Sequence, residues 1–359
     1  MFNKNQDPNK ILRNARIRVS LVSFALILNV AISVVILTDS ASLVVPSSAN
    51  DQKPAANASE LMASPGLTNS PYWTAPDTAT IPLEPNGDEI RYGLNLISHT
   101  SEYLGPTGNV MPISNGMNCQ NCHLNAGTKT FGNNYSAVAS TYPKYRPRSG
   151  ELETIEKRVN DCIERSLNGH ALKNNSREMK AIVAYIKWVG KNVPKDTIPK
   201  GSGLMVLAYL DHPADPKKGK LVYELKCTVC HGKNGEGIMN AADSVWTYPP
   251  LWGNNSYNTG AGLYRLSRFA AYIKANMPWG SAYSAPQLTD EEAWHVAAYV
   301  NSMARPEKNL SKDWPDISKK PVDHPFGPFA DGFDEVQHKY GPFKPIIEKR
   351  KELSVSKGK

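Results

Sequence analysis

The sequence predicts a mainly α protein made of two tandem domains of one design, with long loops. Three observations carry that prediction. The pattern Cys-x-x-Cys-His occurs twice, as Cys119–His123 and Cys227–His231. The apolar residues after each copy recur at spacings of 3 and 4 rather than alternating, which is the signature of helices that bury one face. A ten-residue segment, Glu178-Met-Lys-Ala-Ile-Val-Ala-Tyr185-Ile-Lys, returns in outline as Glu292-Ala-Trp-His-Val-Ala-Ala-Tyr299-Val-Asn, each after its own Cys-x-x-Cys-His. The length, 359 residues, accommodates two domains but not a third once the ends are set aside.

Four of the five cysteines sit in the two repeated patterns. A Cys-x-x-Cys pair alone reads as half a zinc site or as a thioredoxin-type redox pair. Neither of those needs a histidine directly after the second cysteine, whereas covalent attachment of a c-type haem does. Two complete copies therefore predict two haem c groups, attached through Cys119 and Cys122 and through Cys227 and Cys230, with His123 and His231 as iron ligands. The fold class becomes mainly α, with two tandem cytochrome c-type domains. An N-terminal transmembrane helix is expected ahead of them.

Residues 1–18 carry Lys4, Lys10, Arg13, Arg16 and Arg18 against a single Asp7. Val19–Thr38 then runs for twenty residues without a charge. At roughly 1.5 Å per residue it spans a bilayer core of about 30 Å, longer than the apolar core of a cleaved signal. The expectation is an uncleaved anchor with its basic flank in the cytoplasm and everything beyond it on the periplasmic side, where covalent haem attachment takes place; a cleaved signal would leave a soluble periplasmic protein.

Residues 39–85 are rich in Ser, Ala, Pro, Asn and Thr and read as a flexible spacer, with order beginning near Glu89. The first haem domain is assigned to 86–195. Within it Arg91–Leu104 has helical spacing. Glu151–Leu167 predicts an amphipathic helix whose stripe is Leu152, Ile155, Val159, Cys162 and Ser166, at steps of 3, 4, 3 and 4. Ser176 then caps a helix that ends at Gly190. A connector covers 196–210. The second domain, 211–305, opens with a helix at Lys218–Lys226 that leads straight into Cys227. It continues with a helix over Leu263–Ala275, a capping box at Thr289-Asp-Glu-Glu292 and a last helix over Trp294–Met303. The tail, 306–359, is rich in proline and aromatics and is expected to wrap over the body. Its charged end, Glu348–Lys359, is expected to fray.

The formal net charge is +8. No basic run is interleaved with aromatics, and no nucleic-acid module is present, so the charge points instead to an anionic small substrate or an acidic redox partner. The second axial ligand separates an electron carrier from a catalyst. For the second haem Met277 fits: it lies 46 residues past His231, between a helix end and Pro278. Met239 lies too close to His231, and Met303 reads as core. The first domain has no comparable methionine, since Met179 lies in an apolar stripe. Cys162, 39 residues past His123, is the remaining soft donor. Two readings stand for it. It is a small buried hydrophobe, the usual fate of a free cysteine. Alternatively it is a thiolate ligand, favoured by Arg158 and Arg165 at i−4 and i+3, with Ser166 at i+4. The arginines themselves have a bland reading, pairing with Glu164 or Glu151.

Taken together, Cys119–His123, Val159-Asn-Asp-Cys162-Ile-Glu-Arg-Ser166-Leu-Asn-Gly169, Cys227–His231, Ile273-Lys-Ala-Asn-Met277-Pro and the tail His338-Lys-Tyr-Gly-Pro-Phe-Lys-Pro345 resemble the dihaem thiosulfate dehydrogenases, a family that includes enzymes acting mainly as tetrathionate reductases. The resemblance covers roughly residues 85–345, and the Asn-Asp-Cys-x-x-Arg-Ser block is its most specific part. It implies a catalytic haem held by His123 and Cys162, and a relay haem held by His231 and Met277. It also implies a site for thiosulfate and tetrathionate that uses Arg148, Ser166 and Arg177. Some members carry a lysine before the methionine and exchange the two on reduction. Asn276 stands there in this chain, with Lys274 nearby. Cys162 is expected to leave iron and form a mixed sulfur adduct that a second thiosulfate attacks. The electrons would pass to a small redox protein or a membrane acceptor. Rival readings are a membrane-anchored dihaem carrier serving a terminal oxidase, a dihaem peroxidase, and a haem-thiolate subunit of a larger sulfur-oxidising complex.

Overall fold

The computed structural model describes residues 70–83, 86–240 and 245–357. The expected membrane segment at 19–38, its basic flank and most of the spacer lie outside the described residues. Among the described residues no helix is long and apolar enough to cross a membrane.

Helices dominate. Those of six residues or more are α1 (Gly87–Ser98), α2 (Ile155–Arg165), α3 (Arg177–Val189), α4 (Pro216–Lys226), α5 (Leu266–Asn276), α6 (Asp290–Ser302), α7 (Glu335–Tyr340) and α8 (Lys344–Lys357). Their starts follow from local chemistry. Side chains of Thr154, Ser176 and Asp215 accept from backbone N–H groups of the first turns of α2, α3 and α4, and Pro216 occupies the first position of α4. Thr289 and Glu292 close the expected capping box on α6.

Each haem domain is organised by one helix crossing, α1 on α3 in the first and α4 on α6 in the second. A glycine lies at each crossing. A Cβ on Gly93 would fall 1.9 Å from the Ala181 carbonyl oxygen and 2.8 Å from the Tyr185 Cβ. A Cβ on Gly219 would fall 1.8 Å from the His295 carbonyl oxygen and 2.9 Å from the Tyr299 Cβ. The repeat seen in the sequence is therefore the receiving face of this crossing, and each glycine lets the backbones approach closely. Two apolar cores result. Leu96, Ile97, Met179, Tyr185 and Val189 lie deep in the first, and Tyr223, Trp294, Ala297 and Val300 in the second.

Four expectations change. Residues 151–153 are not helical. Glu151–Glu153 forms β2, paired antiparallel with β1 (Lys144–Arg146) in the register Tyr145 opposite Leu152. Leu152 is consequently 68% exposed instead of lying on the buried stripe, and α2 begins only after Thr154. A second small ribbon, β3 (Ile238–Asn240) with β4 (Val245–Tyr248), was not foreseen either. Order also begins before residue 86. Ile81 is buried, Trp73 packs on the first core, and the Trp73 N–H donates to the Lys200 carbonyl at 2.9 Å. Finally, the charged C-terminal stretch is helical through Lys357. Phe343 and Ile346 anchor α8 in the second core, and Arg350 grips Asp331 at 2.6 Å.

The domains and tail interlock. The Tyr272 hydroxyl donates to the Asn121 carbonyl at 2.7 Å, and Asn276 Nδ2 donates to the Phe131 carbonyl at 3.1 Å. The tail reaches back to the first domain, where Asp313 holds Arg165 and the Trp314 N–H donates to the Arg148 carbonyl at 2.7 Å.

Candidate active site

The first Cys-x-x-Cys-His is fastened at both ends. Asn118 Oδ1 accepts from the backbone and hydroxyl of Ser101, and the Cys119 N–H donates to Thr100 Oγ1 at 2.9 Å. Past the motif, His123 Nδ1 lies 2.6 Å from the Asn133 carbonyl. A carbonyl only accepts, so Nδ1 carries the proton and Nε2 keeps its lone pair for a metal. His231 repeats this arrangement with the Pro249 carbonyl at 2.9 Å.

Cys119, Cys122 and His123 open onto a cavity with roughly 1020 Å³ of empty space, its mouth included. Its walls are mostly apolar, built from residues such as Ile97, Val138, Ile182 and Ile186, with Tyr135 and Tyr142. From α2 come Arg158 and Cys162, and from its C-cap Ser166, one turn apart. Two attachment thiols, an oriented imidazole and a second soft donor thus converge in one apolar chamber, and this donor set fits a covalently held haem. In the second domain Met277 caps α5 and packs at the edge of the second core with Cys227, Leu251 and Trp252. His231 and Met277 are the imidazole and thioether that the second domain has near Cys227. Met239 is 44% exposed, and Met179 is fully buried in the first core.

The cysteines differ sharply in acidity. Burial pushes the Cys119 thiol up to about 11, and those of Cys122 and Cys227 up to about 12. Burial acts on Cys162 as well. It is outweighed there first by the charge of Arg158, then by a hydrogen bond and charge from His123 when that ring is protonated and metal-free, and by the charge of Arg148, and the thiol falls to about 6. Arg158 in turn is held firmly protonated, first by Cys162.

The three arginines around Cys162 are not equivalent. Arg148 is spent on Asp161 at 2.6 Å, a carboxylate that Lys157 shares at 2.7 Å. Arg165 makes a two-pronged pair with Asp313, both bonds at 2.8 Å. Arg158 has no carboxylate within ion-pair distance among the described residues, so its charge is free to meet a ligand in the cavity. Arg177 is elsewhere. It stacks 4.5 Å over the Tyr92 ring and lines a separate hollow with Asp88, Glu89 and Lys180. The structure thus brings together Cys162, Ser166 and His123 with Arg148 just behind, and leaves Arg177 outside. Lys274 donates to the Leu288 carbonyl at 2.6 Å and pairs with Asp290 at 2.8 Å, so it is committed away from Met277.

Sequence reasoning named Arg158 only as a neighbour of Cys162 and missed Asp161 and Asp313. Asp161 carried a signal, standing directly before Cys162 in the most specific block. Asp313 carried none, since nothing local marks a tail residue that folds back over 148 positions.

Residues 110–194 match the family described as SoxA/TsdA, cytochrome c domain, and residues 216–304 match Cytochrome c. A thiosulfate dehydrogenase of Psychrobacter arcticus is 39% identical over 269 residues, 73% of this chain and 78% of the relative. One of Allochromatium vinosum is 36% identical over 65% of this chain and 84% of the relative. Among solved structures, the thiosulfate dehydrogenase TsdBA of Marichromatium purpuratum is similar at 32% identity and a TM-score of 0.60. That match covers 66% of this chain and 50% of that one. With two haem c domains and likeness of this extent to such relatives, the chain belongs to the thiosulfate dehydrogenase family.

Proposed function

We propose that the chain joins two thiosulfates into one tetrathionate at the cavity of the first domain. The observation that carries this reading is the presence of Cys162, uncommitted Arg158 and Ser166 in one cavity with His123. Thiosulfate is a dianion, and Arg158 gives it a fixed countercharge while the Ser166 hydroxyl donates to a sulfonate oxygen. Arg148, tethered by Asp161, adds positive potential from behind. The two haems, when bound, take up the two electrons that the reaction releases.

The steps at Cys162 balance. Its thiolate, charge −1, and the terminal sulfur of a thiosulfate, charge −2, form an S–S bond. The product, Cys–S–S–SO₃⁻, carries −1, and two electrons leave. The terminal sulfur of a second thiosulfate attacks the inner sulfur of that adduct. The Cys162–sulfur bond breaks, tetrathionate departs with charge −2, and the thiolate is restored. Microscopic reversibility lets the same groups cleave tetrathionate when electrons are supplied. The test is Cys162→Gly, assayed in both directions on protein that still carries both haems. Loss of turnover is expected, and substantial residual turnover would sink the assignment.

Met277 and His231 serve as ligands of the relay haem in this reading, and electrons leave from it to a small redox protein or a membrane acceptor. The uncharged run Val19–Thr38 behind a basic flank supports an N-terminal anchor with the haem domains on the periplasmic side. Release of the protein from membranes by alkaline carbonate alone, without detergent, would contradict the anchor.

A further inference from the structure

Helix α5 carries Met277 at its C-terminal end and faces the first domain with two side chains one turn apart. Tyr272 donates through its hydroxyl to the carbonyl of Asn121, which lies between the two attachment cysteines of the first motif. Asn276, directly before Met277, donates through Nδ2 to the carbonyls of Phe131 (3.1 Å) and Tyr272 (3.0 Å). Both partners are acceptors, so the amide has one workable orientation, with nitrogen toward them. Its Oδ1 is then buried with no hydrogen-bond partner among the described residues. An orphaned buried oxygen is costly and asks for an explanation.

The loop that Asn276 grips also orients His123. Phe131 is two residues before Asn133, whose carbonyl holds His123 Nδ1 at 2.6 Å. Phe131 and Asn133 both adopt left-handed backbone, at φ 53° and 59°, uncommon for non-glycine residues. The connector pins the loop through Phe131 N–H to Gly201 O (3.0 Å) and Asn133 N–H to Gly203 O (2.8 Å).

We infer that Asn276 and Tyr272 are positioning residues that join the two haem sites into one electron-transfer unit. The route runs from Met277 to Asn276, across the amide hydrogen bond to Phe131, along the backbone to Asn133, and across a second hydrogen bond to His123. Tyr272 fixes the same helix to the first motif. With both haems bound, each transfer would move one electron from one haem to the other, oxidising the first and reducing the second, with no other bond made or broken. The amide leaves its own Oδ1 without a partner, yet its Nδ2 supplies the donor for the Phe131 carbonyl, which an apolar side chain would leave unmet.

This inference rests on the reading of His123 and Met277 as axial ligands. The experiment uses the dihaem holoprotein and its Tyr272→Phe, Asn276→Leu and Met277→Leu variants. Interhaem electron exchange is followed after flash photoreduction, with the absorption spectrum of each haem and the melting temperature measured alongside. Expected is at least a tenfold slower exchange in Asn276→Leu and a two- to threefold slower exchange in Tyr272→Phe, with both haem spectra unchanged. A lowered melting temperature with unchanged exchange would make the residues purely structural and overturn the inference. Should Asn276→Leu fail to fold, Tyr272→Phe, which loses one oxygen atom, decides alone. An unchanged second-haem spectrum in Met277→Leu removes the ligand and the route together. Unchanged exchange in Asn276→Leu with Met277 ligation intact removes the route alone.

Discussion

The two haem domains share a scaffold and differ in what it presents. Each crosses its first and last helices at a glycine, Gly93 in one and Gly219 in the other, and each anchors its histidine Nδ1 to a backbone carbonyl. They part on the distal side. The first offers a thiol with a free guanidinium and a hydroxyl beside it; the second offers a thioether, and its nearby cation, Lys274, is tied to the start of α6. The fold therefore repeats how a haem is gripped, while in the proposed reading a few side chains and the commitment of neighbouring charges set whether it reacts or relays.

The sharpest way to break that contrast is to give the first domain the second domain's donor. Cys162→Met is expected to keep both haems, raise the reduction potential of the first in a spectroelectrochemical titration, and lower turnover on the order of 10³-fold or more. Next in size is a test of what the domains share. Gly93→Ala and Gly219→Ala each thrust a methyl into a carbonyl oxygen, and each is expected to cost about 3 kcal/mol of stability in urea unfolding followed by circular dichroism. A large difference between the two would show that the crossings are not equivalent. Arg158→Gln, which removes the free charge and spares the tethered ones, is expected to lower kcat/KM for thiosulfate roughly 10- to 100-fold, since a hydrogen bond to a charged group contributes about 1.5–3 kcal/mol. Smallest is Arg177→Ala. It removes a cation stacked on Tyr92 and should cost about 0.5–1 kcal/mol of stability, with kcat/KM changed less than about twofold.

Both attachment motifs, the α3 and α6 caps, the repeat and the Cys162–Ser166 pairing on α2 were legible in the sequence because each is local or strictly periodic. The start of α2 was not. Leu152 keeps the helical period with Ile155, yet β1 captures it, and a strand partner seven residues upstream leaves no trace in a periodicity argument. Arg148 and Arg177 were both carried over by the resemblance alone, Arg177 as the weaker match. Only the packed structure shows that one stacks on an aromatic ring outside the cavity while the other is tethered behind Cys162. The free state of Arg158 was likewise beyond sequence, since it depends on Asp161 and Asp313 having taken the other two guanidinium groups.

The return of the tail to the first domain has a consequence in time. Asp313 binds Arg165 across 148 residues, and Trp314 clasps the backbone of Arg148. A chain emerging from its N-terminus completes the first helix crossing and the first haem motif long before those two residues exist. The arginines around Cys162 reach their final arrangement only when synthesis has passed the second domain. The cavity proposed as the reactive centre is therefore started early and among the last parts to be finished, so a truncated product would carry a haem motif without the tail contacts on Arg148 and Arg165.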